Sequence, residues 1–78
     1  MEPKLTSLAI GKSSSITSIE ECALADRLRS LGFTPGSRVT AVMASPMGGD
    51  PVAYRIRGTL VALRHTDADR IRVQEGAI

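Results

Sequence analysis

The chain has no Trp, one Phe and one Tyr, so no aromatic cluster can build its core. The apolar interior must come from seven Leu, six Ile and five Val. One Cys stands alone, which excludes a disulfide scaffold and fits a reducing compartment. One His leaves no Cys/His set for a tetrahedral structural metal site within one chain. No apolar run approaches the roughly 18–20 residues of a membrane span. Met1, Glu2, Pro3 and Lys4 lack the basic-then-apolar order of a signal peptide. These absences favour a cytoplasmic chain that does not insert into a membrane.

Seventy-eight residues make one domain, spanning 1–78. Domains of this size bury only about 60–65% of their unfolded surface, which leaves little room for a catalytic cavity. The net charge is +2, from ten basic and eight acidic side chains. Its excess lies C-terminally, at Arg55, Arg57, Arg64, Arg70 and Arg72. This balance is too mild for a dedicated nucleic-acid binder, and no exposed aromatics are expected to stack bases.

The pattern changes several times along the chain. Leu5, Leu8 and Ile10 before Gly11 suggest a short strand, and residues 13–19 suit a second, rich in β-branched side chains. Over residues 20–31, Leu24, Leu28 and Leu31 form one helical stripe. Ser18 and Glu21 have capping-box spacing for its start, and Gly32 then Phe33 read as its stop. Thr34-Pro35-Gly36-Ser37 is a type II turn signature. Alternation then sets Val39, Ala41 and Met43 on one face of a strand. After a loop with Pro46, Gly48, Gly49 and Pro51, Val52, Tyr54 and Ile56 alternate with Ala53, Arg55 and Arg57. Gly58 marks a tight turn or bulge, and residues 60–63 read as a buried strand. Thr66 to Arg70 reads as a helical turn capped by Thr66, before a last strand at Ile71 and Val73. Short strands, one helix and Gly/Pro turns predict a mainly β fold. A small closed barrel with one inserted α-helix and a short C-terminal helical turn satisfies the pattern.

No single motif carries catalysis. Gly11-Lys12-Ser13 resembles the end of a phosphate-binding loop, yet Thr6 stands where that motif needs Gly and no helix follows. Cys22 and His65, with Glu21, Asp67, Glu20 or Asp69 as oxygen donors, could form a weak surface site for Fe(II) or Zn(II), or one shared between two chains. The plainer reading is a small helix residue and a solvated ring. Asp67 and Asp69 beside Arg64 and Arg70 read as surface pairing or turn capping. A Cys–His dyad would need an orienting group and a pocket, and neither is visible in the sequence.

The order of features is more specific than any one of them. A helix precedes Leu31-Gly32-Phe33-Thr34-Pro35-Gly36 and a strand. Pro46-Met47-Gly48-Gly49-Asp50-Pro51-Val52, Gly58, Leu63-Arg64, Ala68 and Ile71-Arg72-Val73 follow. From Leu5 to Val73 the chain resembles the ferrous iron transport protein A (FeoA) family. That resemblance implies an SH3-like β-barrel with a helix inserted after the second strand. It implies a cytosolic accessory of ferrous iron uptake, a protein-binding module acting on FeoB, a membrane protein with a cytoplasmic GTP-hydrolysing domain. Similar barrels end some iron-responsive repressors, where they make regulatory contacts. No enzyme activity and no required cofactor are expected. Met43, Pro46, Met47, Pro51 and Tyr54 are candidate apolar contacts, and Arg55, Arg57 and Arg64 candidate charged ones. Met43 and Tyr54 also read as core positions. Monomer and homodimer are both open.

Overall fold

The computed structural model describes residues 2–76. A 3-10 turn at Leu5–Ser7 leads into β1 (Ser13–Ile19), α1 (Ala25–Ser30), β2 (Arg38–Ala44) and β3 (Val52–Ile56). β4 (Thr59–Leu63), α2 (His65–Ala68) and β5 (Ile71–Val73) complete the described chain. The five strands form one antiparallel sheet in the order β4-β3-β2-β1-β5. The architecture is mainly β, with two short helices. Among the described residues, no helix is long and apolar enough to cross a membrane.

The expected first strand is a turn instead. Leu5 and Leu8 are three residues apart, and the Leu8 N–H donates to the Leu5 carbonyl over 3.0 Å. Both side chains are buried on one side of the turn, while Ile10 faces out.

β1 pairs with β2 through residues 13–15 and with β5 through residues 16–19, so one strand turns the sheet around the core. The buried Ser14 hydroxyl donates to the Gln74 carbonyl over 2.7 Å, which satisfies it inside.

α1 is shorter than its leucine stripe predicts. Glu20 stays in the sheet margin, its N–H donating to the Arg70 carbonyl. The capping box does not form: Ser18 lies in β1, and Leu24 is the N-cap without a side-chain bond. The stop is as expected. Gly32 takes φ +109°, and the Phe33 N–H donates to the Leu28 carbonyl over 3.1 Å. This turn delivers Phe33 to the core, where complete burial of such a ring contributes about 2–3 kcal/mol. The next turn also forms, the Ser37 N–H donating to the Thr34 carbonyl.

Tyr54 and Phe33 are the largest fully buried side chains, packed with Leu5, Ile16, Val39, Ile56, Ile71 and Val73. β3 keeps its predicted alternation, with Val52, Tyr54 and Ile56 inside. β2 does not. A register shift between Ala41 and Met43 inserts one residue, so Val39 and Ala41 point inward but Met43 points out.

β3 and β4 join through Arg57-Gly58, with φ +49° and +78°. Two consecutive positive angles are those of a type I′ hairpin turn, which matches the twist of the strands it joins. β4 is not the buried strand its apolar run suggests: Leu60 is 54% exposed and only Leu63 is fully inside. It is an edge strand, and the ladder does not close from β4 to β5. The β5 edge is covered by the N-terminal segment, through a Lys4–Arg72 bridge and the Val73 N–H donating to the Pro3 carbonyl.

Candidate partner-binding surface

Ser45 to Pro51 links β2 to β3 and is held by its own hydrogen bonds. The Gly49 N–H donates to the Ser45 carbonyl over 2.8 Å, and the Met47 N–H to the Ser45 hydroxyl over 3.1 Å. The Ser45 N–H donates to the Pro51 carbonyl over 3.0 Å, which closes the loop at its base. Asp50-Pro51 is a cis peptide bond.

A second set of bonds ties the loop to α2. The Asp50 carboxylate accepts the His65 N–H over 3.1 Å, and His65 Nε2 lies 3.1 Å from the Gly49 carbonyl. Asp50 therefore caps α2 from across the fold, where the sequence suggests Thr66. An acceptor 15 residues upstream carries no local spacing signal.

The anchored loop displays Met47, 83% exposed, at its tip beside the exposed Pro46. Met43, 57% exposed, lies on the outer face of β2 opposite Ala53. Pro51 is half-buried at the loop base, and Arg64 is exposed beside His65. Pro46 and Met47 thus lie on the loop, with Met43 on the strand before it and Arg64 next to its anchor His65.

The other expected contacts lie elsewhere. Tyr54 is 1% exposed and is a core residue, as its alternation allows. Burial pushes its phenol above the usual value of 10.0, and the Asp69 carboxylate adds to the shift. Arg55 is exposed across from Leu60, and Arg57 is exposed at the far hairpin turn. The sequence reading missed Leu60 because a run of apolar residues fits an edge strand as well as a central one.

The candidate metal ligands are not assembled into one set. Among the described residues, no three His, Cys, Asp or Glu side chains are grouped to hold an ion. Cys22 is half-buried before α1. Glu21 accepts from Arg29 over 2.5 Å, and that bond and its charge raise the Arg29 pKa. His65 and Asp67 lie on α2. Asp69 accepts the Thr6 hydroxyl over 2.6 Å, and Arg70 approaches Glu20 at 3.9 Å, so neither makes the surface pair expected of it.

Residues 4–75 match the model of the FeoA domain. The chain belongs to the FeoA family. It is 34% identical to FeoA of Stenotrophomonas maltophilia, solved as a zinc complex, with a TM-score of 0.84 over 92% of this chain and 89% of that one. That protein is described as a procaryotic SH3 domain protein and a candidate activating factor of bacterial ferrous iron transport. Iron(II) transport protein A of Clostridium thermocellum is 33% identical, with a TM-score of 0.84 over 92% of this chain and 44% of that one. A manganese-dependent transcriptional repressor, 18% identical, shares the fold over 95% of this chain and 42% of its own, with a TM-score of 0.80. No curated protein matches the chain. The fold is the SH3-like one that the family resemblance implies.

Proposed function

We propose that this FeoA protein is a cytoplasmic, non-enzymatic docking module of ferrous iron uptake that binds the cytoplasmic side of FeoB. One observation carries the reading: exposed methionines stand at the tip (Met47) and on the preceding strand (Met43) of a loop pinned to α2 by Asp50 and His65. Flexible thioether side chains suit an adaptable apolar contact, and a pinned loop loses little entropy on binding. Arg64 beside the loop gives the contact a charged margin. The candidate transport role of the Stenotrophomonas relative supports the same direction.

Labelled protein titrated against full-length FeoB in nanodiscs tests this, with and without nucleotide and Fe(II). Saturable binding that Met47→Glu abolishes is the expected result. Binding in no state overturns the reading.

A second reading is favoured by the zinc in that relative: Zn(II) or Fe(II) bridges two chains through Cys22 or His65. Native mass spectrometry with either ion tests it. A metal-dependent dimer lost in both Cys22→Ser and His65→Ala would carry it, and a metal-indifferent monomer would end it.

A further inference from the structure

β4 is the edge of the sheet that the N-terminal segment does not cover. Its register with β3 pairs Ile56 with Thr59 across a two-residue turn. Narrow, hydrogen-bonded pairs therefore fall at Thr59, Val61 and Leu63. Leu60 and Ala62 fall between them and turn their N–H and C=O groups to the open side. No other backbone bond among the described residues engages either one.

Facing this edge is α1. Leu24, Leu28 and Leu31 of the helical stripe, with Val61, Arg27 and Asp67, line a groove of about 200 Å³ between helix and strand. Leu31 is exposed along it although it belongs to the stripe that reads as core. The groove thus has a row of free backbone groups on one wall and aliphatic side chains on the other.

Its charge is not uniform. The Arg57 side chain lies over Gly32, at the C-terminal end of α1 and the N-terminal end of β4. Arg57 and Arg38 also line one shallow concavity there, with Pro35, Gly36 and Ser37. Among the described residues, the close ion pairs engage Arg29 and Arg70 and leave Arg38 and Arg57 without a carboxylate. Arg27 and Asp67, of opposite charge, line the groove itself.

In the register centred on Val61, a second copy of this chain sets basic residues against each other. Two-fold pairing of β4 about Val61 sets Arg64 opposite Gly58 of a second copy, beside that copy's Arg57. The like charges meet at both ends.

We propose that the groove between β4 and α1 binds an extended acidic peptide segment of a partner protein by strand addition. Such a segment hydrogen-bonds Leu60 and Ala62, sets aliphatic side chains against Leu31 and Val61, and meets Arg57 and Arg38 with carboxylates. Main-chain bonds give such complexes affinity, and alternate side chains give specificity. Antiparallel addition continues the sheet and puts the peptide's C-terminal end at Arg57. The groove rests on the reading of this chain as a docking module, but on a surface separate from the Met43 and Met47 loop.

The probe is an acetylated Val-Thr-Val-Thr-Val-Asp-Glu peptide, with a Val-Thr-Val-Thr-Val-Lys-Lys analogue as control. Amide spectra of the 15N-labelled full chain are the readout. The acidic peptide is expected to shift the Leu60 and Ala62 amides and the residues around Leu31. The lysine analogue should bind about tenfold more weakly or worse. Ala62→Pro removes the outward N–H at an edge position that tolerates proline and should abolish the shifts. Arg57→Asn suits the Arg57-Gly58 turn and keeps the hairpin, so it tests the charge even if Ala62→Pro does not fold. Unmoved edge amides, equal binding of the lysine peptide, or full binding by folded Arg57→Asn overturns the proposal. A concentration-dependent dimer that protects the β4 amides overturns it too and assigns the edge to self-pairing. FeoB binding lost in Met47→Glu but blind to Arg57→Asn, with no peptide binding, sinks the groove alone. Peptide binding without FeoB binding sinks the docking reading of the loop alone.

Discussion

His65 and Asp50 are joined by a hydrogen bond from the His65 backbone N–H to the Asp50 carboxylate, 3.1 Å long. It satisfies the first N–H of α2 and fastens the β2–β3 loop to it. Losing a side-chain cap of this kind costs about 1 kcal/mol, within a range of about 0.5–2. Asp50→Ala is therefore expected to lower unfolding free energy in urea by about 1 kcal/mol, and Asp50→Asn to restore most of it. Amide exchange at residues 46–49 should quicken in Asp50→Ala, because, of the two bonds to α2, only the one between His65 Nε2 and the Gly49 carbonyl remains.

Local chemistry made much of this fold legible. The helix around Leu28, the Gly32 stop and the Thr34–Ser37 turn depend on neighbours within four residues, and each forms, although Leu24 and Leu31 of the stripe become its caps. β3 is likewise where its alternation puts it. The misreadings share a different cause. Whether residues 60–63 lie at an edge is decided by which strand arrives on their far side. The inserted residue that turns Met43 outward is defined only against β3. Asp50 finds His65 through folding of the whole hairpin. The candidate contacts divide on the same line: Met47 on its loop was legible as exposed, and Tyr54 needed the fold to show it as core.

Gly32 ends α1 and lies beneath the Arg57 side chain of the β3–β4 turn. At φ +109° any side chain is strained, and a Cβ there would lie 3.0 Å from Arg57 Cδ. Arg57 is a flexible chain and can retreat, so the backbone strain dominates. Gly32→Ala should cost about 1–3 kcal/mol. Denaturation of Gly32→Ala with and without Arg57→Asn separates the two effects: a loss that persists with the shortened side chain belongs to the backbone.

Tyr54 gives the fold a defined alkaline limit. Its phenol is raised in the folded state, by burial first and by Asp69 second. The folded chain thus holds this proton at pH values where the unfolded chain releases it. Stability is unaffected by this group below the ordinary phenol value of about 10, and falls as pH rises from there toward the higher folded value. Thermal melts between about pH 8 and 11 should show Tm dropping steeply above about pH 10 in the wild type. Tyr54→Phe should flatten that drop. A wild-type Tm that declines no more than that of Tyr54→Phe would contradict it.

The methionine loop makes a prediction that separates binding from folding. Met43 and Met47 are largely exposed and contribute little to the core, so Met43→Ser with Met47→Ser should change unfolding free energy by no more than about 0.5 kcal/mol. If the loop is the docking contact, the pair should weaken FeoB binding by at least about tenfold, because central apolar anchors carry most of an interface's energy. Arg64→Ala at the margin should instead slow association and reduce its salt dependence, with a smaller change in dissociation. Measured on- and off-rates against FeoB nanodiscs at two salt concentrations distinguish the roles. Equal rate changes in both variants would place Met43, Met47 and Arg64 in one undivided patch rather than in an anchor and its margin. An unchanged off-rate in the methionine variant would move the contact off this loop.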